Sequence, residues 1–184
     1  MQASTRIISR IAVTLVLFGP AVWMLRAEES ASVKLESLNW PKFLERIAAN
    51  KDAKLTIVDA WATTCGPCKK NFPHLVEMNH KYGKKGLAVV SLSLDDNSDK
   101  AALADAEKFL QEKKAVFTNI LLDEDFGVGF EKLEIGAIPA VFLFGPGGKE
   151  IARFTMDDPN NQFTYEDVEK AIVALLDGKP LPKK

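Results

Sequence analysis

Cysteine is scarce in this chain: 184 residues hold two, Cys65 and Cys68. Two cysteines cannot build the disulfide framework of a small secreted scaffold. If they pair, they pair with each other, and a ring that small adds little stability, so their value is chemical. An excess of charge of one sign is lacking as well. The 24 basic residues stand against 25 acidic ones, a formal net charge of −1. Nucleic-acid binding, which calls for a basic stripe, is therefore not expected. Histidine is limited to His74 and His80. A zinc site would need both of them with both cysteines, all from one kinked helix, in a spacing no ordinary zinc finger uses, so no metal is expected. No internal repeat or low-complexity segment is present, and no P-x-x-x-T-x-x-C pattern surrounds Cys65, which argues against a thiol peroxidase. What remains is a length suited to one domain, with 47% hydrophobic residues to build its core.

The chain is organised around Trp61-Ala-Thr-Thr-Cys65-Gly66-Pro67-Cys68-Lys69. This stretch lies where an apolar strand, Leu55 to Ala60, gives way to a helix. Cysteine reacts as the thiolate, and free backbone N–H groups and the dipole at a helix N-terminus stabilise that anion. A C-x-x-C at such a junction points to redox chemistry. Pro67 suits a first helical turn, where its missing N–H would have gone unpaired. Cys65, at the mouth of the helix, is the expected nucleophile. Cys68, one turn in, is the expected resolving thiol.

Asp59 is the second informative residue. A carboxylate inside an apolar strand is costly to bury charged, so its pKa should rise. Near Cys68 it would accept that thiol's proton. The alternative is a structural, hydrogen-bonded or edge position. Trp61 either packs beside the site or serves the core alone. Lys69 and Lys70 could aid the thiolate field, but a solvated helix face is the reading that fits them better, and His74 and His80 are expected on that same face. Phe126 and Phe130 read as core.

At the N-terminus, Arg6 and Arg10 precede an apolar run from Ile11 to Leu25. A basic start followed by about 15 apolar residues fits either a secretory signal cleaved after Ala27 or an uncleaved anchor through residues 7–26. Either way the remainder is expected to be exported. No cysteine near the run suggests a lipid anchor. The domain reading is thus a signal peptide or anchor at 1–27, a linker at 28–32, one domain at 33–180 and a tail at 181–184.

Within that domain, Val33 to Leu38 reads as an edge strand. Asn39 can cap a helix that starts near Pro41 and runs to about Asn50, with Phe43, Leu44 and Ile47 on one face. Leu55 to Ala60 is short and β-branched, a central strand. The helix after Cys65 should run to Tyr82, kinked at Pro73 and stopped by Gly83. Leu87 to Leu94 is a buried strand, Asp95 to Ser98 a turn, and Asp99 to Lys113 a helix with Leu103, Phe109 and Leu110 inward. Val116 to Leu122 is a further strand, and Asp123 to Glu134 a short helix or loop. Strands at Ala140 to Phe144 and Lys149 to Thr155 flank a Gly145-Pro-Gly-Gly148 turn. Thr164 caps a last helix through Leu176, with Val168, Ile172, Val173 and Leu176 apolar. This order gives an α/β fold, a central mixed sheet with helices on both faces.

The whole resembles the thioredoxin fold. Val58-Asp59-x-Trp61-Ala62-x-x-Cys65-Gly66-Pro67-Cys68-Lys69 is similar to the thioredoxin active-site segment, and Ile138-Pro139 before a strand resembles that family's cis-proline loop. The leader, Lys69-Lys70-x-Phe72-Pro73 and the long segment between Asp95 and Phe117 resemble the TlpA/ResA-like exported thioredoxins, over roughly residues 33 to 180. Three positions depart from the pattern. Thr64 stands where a tryptophan usually precedes the first cysteine, Asn71 where many ResA-like members carry glutamate, and Ser91 near where thioredoxin has a lysine partner for its buried aspartate.

The resemblance implies an extracytoplasmic or periplasmic thiol–disulfide oxidoreductase, working through a Cys65–Cys68 dithiol/disulfide with no other cofactor. It implies a cis Pro139 that leaves neighbouring backbone free to pair with substrate and keeps metals off the thiols. Thr64, Ile138 and Pro139 would contact substrate, and Gly66, Pro67 and Trp61 would tune the redox pair. The expected partners are a cysteine-containing protein and a membrane electron donor, the chain acting as a monomer. Gly-Pro between the cysteines resembles reducing thioredoxins, and cytochrome c maturation is the physiological role the relatives suggest. An oxidase or isomerase on the same scaffold, and a redox-silent binding module, are the rival readings.

Overall fold

The computed structural model describes residues 33–125 and 127–182. The expected leader at 1–27, the linker at 28–32, Phe126 and the last two residues of the tail lie outside them. Six strands form one sheet in the order β1-β4-β3-β2-β5-β6. In chain order the elements are β1 (Leu35–Leu38), α1 (Trp40–Ala48), β2 (Leu55–Trp61), α2 (Gly66–Tyr82), β3 (Leu87–Ser93), α3 (Lys100–Glu112), β4 (Thr118–Leu122), α4 (Val128–Leu133), β5 (Ala140–Phe144), β6 (Glu150–Phe154) and α5 (Tyr165–Leu176). The four strands β1, β4, β3 and β2 are parallel, while β5 runs antiparallel to both of its neighbours. The mixed sheet expected from the sequence is present. Val33 to Leu38 supplies an edge strand, and all seven residues of β2 are buried at the sheet centre.

Pleating sorts β2 into two sets. Leu55, Ile57 and Trp61 join a core with Cys68, Phe72, Leu75 and Met78 of α2, Ala106 and Leu110 of α3, and Val168, Ala171 and Ile172 of α5. Val58 and Ala60 join the opposite core with Phe43 and Ile47 of α1 and Leu133 of α4. Asp59 falls in register with the first set, so its side chain lies under α2 and α5, on the face that also buries the cysteines.

The helix starts follow local chemistry. Asn39 accepts the Lys42 N–H at 3.2 Å, and Asp99 accepts from Ala101 and Ala102. Thr164 and Asp167 form a reciprocal capping box at the start of α5. The Gly145–Gly148 turn joins β5 to β6. Gly148 there has φ +79°, and an added Cβ would sit 3.1 Å from the Cα of Ala48.

Several expectations fail at element margins. Leu44 and Val173 lie on exposed helix flanks, and Leu103 is only half-buried, while Ala106 is fully buried. Leu44 and Val173 each follow a buried residue, Phe43 and Ile172, by one position and so sit about 100° around the helix from it. Val116 is exposed, and β4 begins at Thr118. The α2 helix ends at Tyr82 with Gly83 as its C-cap, as expected, but Gly83 makes no left-handed turn. It is right-handed helical and opens a 3₁₀ turn, and Gly86, at φ +105°, makes the reversal. The helical run of α2 continues through Pro73.

Candidate active site

Cys65 and Cys68 are joined by a disulfide with a Cα–Cα distance of 5.3 Å. Cys65 is the N-cap of α2, and its Sγ accepts the Cys68 backbone N–H at 3.2 Å. The cap places this sulfur in the field of the helix N-terminus, where a thiolate is favoured over a thiol. Cys65 is 9% exposed and Cys68 1%, so an incoming partner reaches Cys65 first. Thr64, Gly66 and Pro67 around it are exposed. A Cβ built on Gly66 would meet nothing within 4 Å, so the surface is open at that position.

The Ile138–Pro139 peptide bond is cis. Pro139 is buried and Ile138 half-buried, and the Ile138 carbonyl oxygen lies 3.7 Å from Cys65 Sγ. In the dithiol form the S–H can donate to that oxygen. A cleft of about 330 Å³ opens beside Thr64, lined in part by Thr63, Lys69, Lys108, Phe109 and Glu112. Thr64 and helix α3 shape this cleft together.

On the face of β2 that packs against α2 and α5, Asp59 is 1% exposed. Its Oδ2 accepts the Tyr165 hydroxyl at 2.7 Å, and its Oδ1 has no hydrogen-bond partner among the described residues. Burial pushes the carboxyl up to about 7, and the single bond from Tyr165 opposes that rise in part. Ser91 lies opposite Asp59 in the β2–β3 register and is fully buried, donating to Asn119 Oδ1 at 2.8 Å. It gives Asp59 no charge partner. Trp61 is fully buried, with its ring against Phe72 and Phe109 at centroid distances of 5.5 and 5.1 Å. It shares one cluster with both cysteines, so it is at once core and site wall.

Two residues escaped the sequence. Tyr165 lies 106 positions from Asp59. Its only advance signal was a hydroxyl-bearing aromatic at the start of an apolar helix, in a chain whose buried aspartate needed a donor. Asp95 was read as a turn residue, yet it is buried. It accepts the Thr63 N–H at 2.9 Å, the Thr63 hydroxyl at 2.6 Å and the Ser93 hydroxyl at 2.7 Å. Because Trp61 pairs with Ser93 across the parallel strands, Thr63 and Asp95 emerge side by side. The carboxylate thereby ties down the loop that leads into Cys65. His74 is also displaced from its expected solvated face, since it stacks on Tyr165 at 5.5 Å; His80 is exposed as expected. Lys69 and Lys70 are exposed, and Phe130 packs against the α1–α4 core. Among the described residues, no three His, Cys, Asp or Glu side chains are placed to hold a metal ion.

A redox disulfide at the mouth of a helix, on a thioredoxin fold, defines a thiol–disulfide oxidoreductase. Comparison with known proteins agrees, and the chain belongs to the AhpC/TSA family, whose model matches residues 44–153. It is similar to the thiol:disulfide interchange protein HelX of Rhodobacter capsulatus, with 24% identity over 155 residues, 84% of this chain and 78% of that one. It is similar to the thiol-disulfide oxidoreductase ResA of Geobacillus kaustophilus, with 24% identity over 187 residues, 95% of this chain and 99% of that one. Among solved structures, a DsbE-type thiol:disulfide interchange protein from Chlorobium tepidum superposes with a TM-score of 0.55 at 31% identity, covering 70% of this chain and 84% of that one.

Proposed function

We propose that this protein reduces disulfides of cysteine-containing proteins outside the cytoplasm. The observation that carries the reading is the Cys65–Cys68 pair at the N-cap of α2, with the Ile138 carbonyl beside it. In the forward direction the Cys65 thiolate attacks a substrate disulfide. One substrate sulfur leaves as thiolate, and the other becomes joined to Cys65. Cys68 gives its proton to Asp59, and its sulfur attacks Cys65. The mixed disulfide breaks, the Cys65–Cys68 bond forms, and the second substrate thiolate departs and is protonated. Two electrons pass from the protein to the substrate. The N–H groups at the start of α2 favour the Cys65 thiolate, and the exposed Gly66-Pro67 step sets how strongly.

The cis Ile138-Pro139 loop and Thr64 form the surface that holds the substrate strand beside Cys65. Gly-Pro between the cysteines supports the reductive direction, through its likeness to reducing thioredoxins near about −270 mV. A reductant outside the cytoplasm needs recharging, so a membrane electron donor completes the cycle. The basic-then-apolar leader supports export, either cleaved or as an anchor. Among the described residues no helix is long and apolar enough to cross a membrane. The ResA-like resemblance supports cytochrome c maturation as the process this reductase serves.

Trapping tests the roles. Cys68→Ser should accumulate disulfide-linked adducts through Cys65 with a cysteine-containing protein substrate, and Cys65→Ser should not. Equal trapping by both variants, or by neither, would overturn the assignment of nucleophile and resolving thiol.

A further inference from the structure

We propose that Tyr165 is the positioning residue of the resolving step, anchoring Asp59 through Oδ2 so that Oδ1 receives the proton from Cys68. The proposal rests on the role given to Asp59 above. Tyr165 is the first residue of α5, inside the Thr164–Asp167 capping box, which fixes where the helix begins. Its ring is 4% exposed and stacks on His74 of α2, the helix that carries Cys68. The phenol therefore has little freedom, and its hydroxyl holds Asp59 Oδ2 at 2.7 Å.

A phenol hydroxyl can donate to that oxygen whether the carboxyl is ionised or neutral. Oδ1 has no partner among the described residues, so a proton arriving there displaces no existing bond. A lysine in the same place would add a charge that changes the affinity of the acid. A tyrosine supplies direction without charge. Its own ionisation is pushed well above the usual range, first by burial and then by Asp59, so it stays a donor.

Among the described residues, burial raises the proton affinity of Asp59 and the Tyr165 hydrogen bond lowers it, with no charged group contributing. Its strand neighbours Ser91 and Val141 carry no charge. On α2, Cys68 is buried and held in the disulfide when oxidised, His74 stacks on Tyr165, Tyr82 bonds Glu169, and Lys69, Lys70, Glu77, His80 and Lys81 lie exposed.

Stopped-flow oxidation of the dithiol protein by DTNB separates the steps. Cys65 breaks the reagent's disulfide and releases one thionitrobenzoate. Cys68 then passes its proton to Asp59 and expels the second as the Cys65–Cys68 bond forms, and the proton goes on to water. The second phase of the wild type should rise with pH about a midpoint near that of Asp59. In Tyr165→Phe the midpoint should move up by about one pH unit, slowing the second phase about tenfold near pH 6, with the first phase unchanged. The chain has two tyrosines. In a Tyr82→Phe background, 3-fluorotyrosine at position 165 is a stronger donor and should move the midpoint down. An unshifted midpoint in both variants, or equal slowing of both phases without a shift, overturns the role of Tyr165. If Asp59→Asn leaves the second-phase profile of the wild type intact, the role of Asp59 itself fails, a result separate from the first two.

Discussion

Replacing Asp59 by asparagine should stabilise the oxidised protein near pH 8 and leave it unchanged near pH 3. The carboxyl has an ordinary value of 3.8 and sits at about 7 in the fold. Between those values the native state holds a proton that the unfolded chain has released. Stability is therefore complete below the unfolded value and is lost as pH rises through the folded one. Over about three pH units, at about 1.4 kcal/mol each, the loss comes to roughly 4 kcal/mol. Asparagine keeps the acceptor for Tyr165 and cannot ionise. Its amide N–H₂ would face the same unpartnered corner as the carboxyl O–H at low pH, so that penalty cancels in the comparison. Near pH 8 the variant should melt roughly 10 °C above the wild type, and near pH 3 the two should coincide. Calorimetry of the disulfide form keeps cysteine titration out of the measurement. Melting curves displaced by the same amount at every pH would refute the reasoning, because they would mean that Asp59 does not change its protonation on folding.

Asp95→Ala should lower stability by about 3 kcal/mol in chemical denaturation, since the Thr63 N–H and the Thr63 and Ser93 hydroxyls lose a shared charged acceptor. It should also slow the first DTNB phase, because the loop entering Cys65 loses its tether; a first phase at wild-type rate would restrict Asp95 to a structural role. Thr164→Ala should cost about 1 kcal/mol through loss of the capping box, read from the denaturation midpoint at unchanged m-value.

The sheet and most helix starts were legible because they depend on local chemistry. The β-branched run of β2, the Asn39 and Thr164 caps and the Gly145–Gly148 turn each specify one outcome over a few residues. The C-x-x-C pair was legible for the same reason. Leu44 and Val173 were misread because an apolar residue at the rim of a helical stripe looks, by period alone, like one at its centre. Tyr165 was invisible because its meaning depends on a partner 106 positions away, brought there only by the closing helix. Asp95 was misread because the pattern of a turn says nothing about its depth. That depth follows from the pairing of Trp61 with Ser93, a register that no single strand encodes. Asp59 stood between these cases. Its burial was apparent from the strand around it, but its one donor was not.

The central claim is that Cys65 and Cys68 form a reducing redox couple. Equilibrating the protein beginning at Glu28 against glutathione or dithiothreitol, and following the dithiol fraction, tests it most directly. The account predicts a reduction potential below about −250 mV. A value above about −180 mV would contradict it and make the protein an oxidase or isomerase, and failure of the pair to form a disulfide at any poise would remove the redox function altogether.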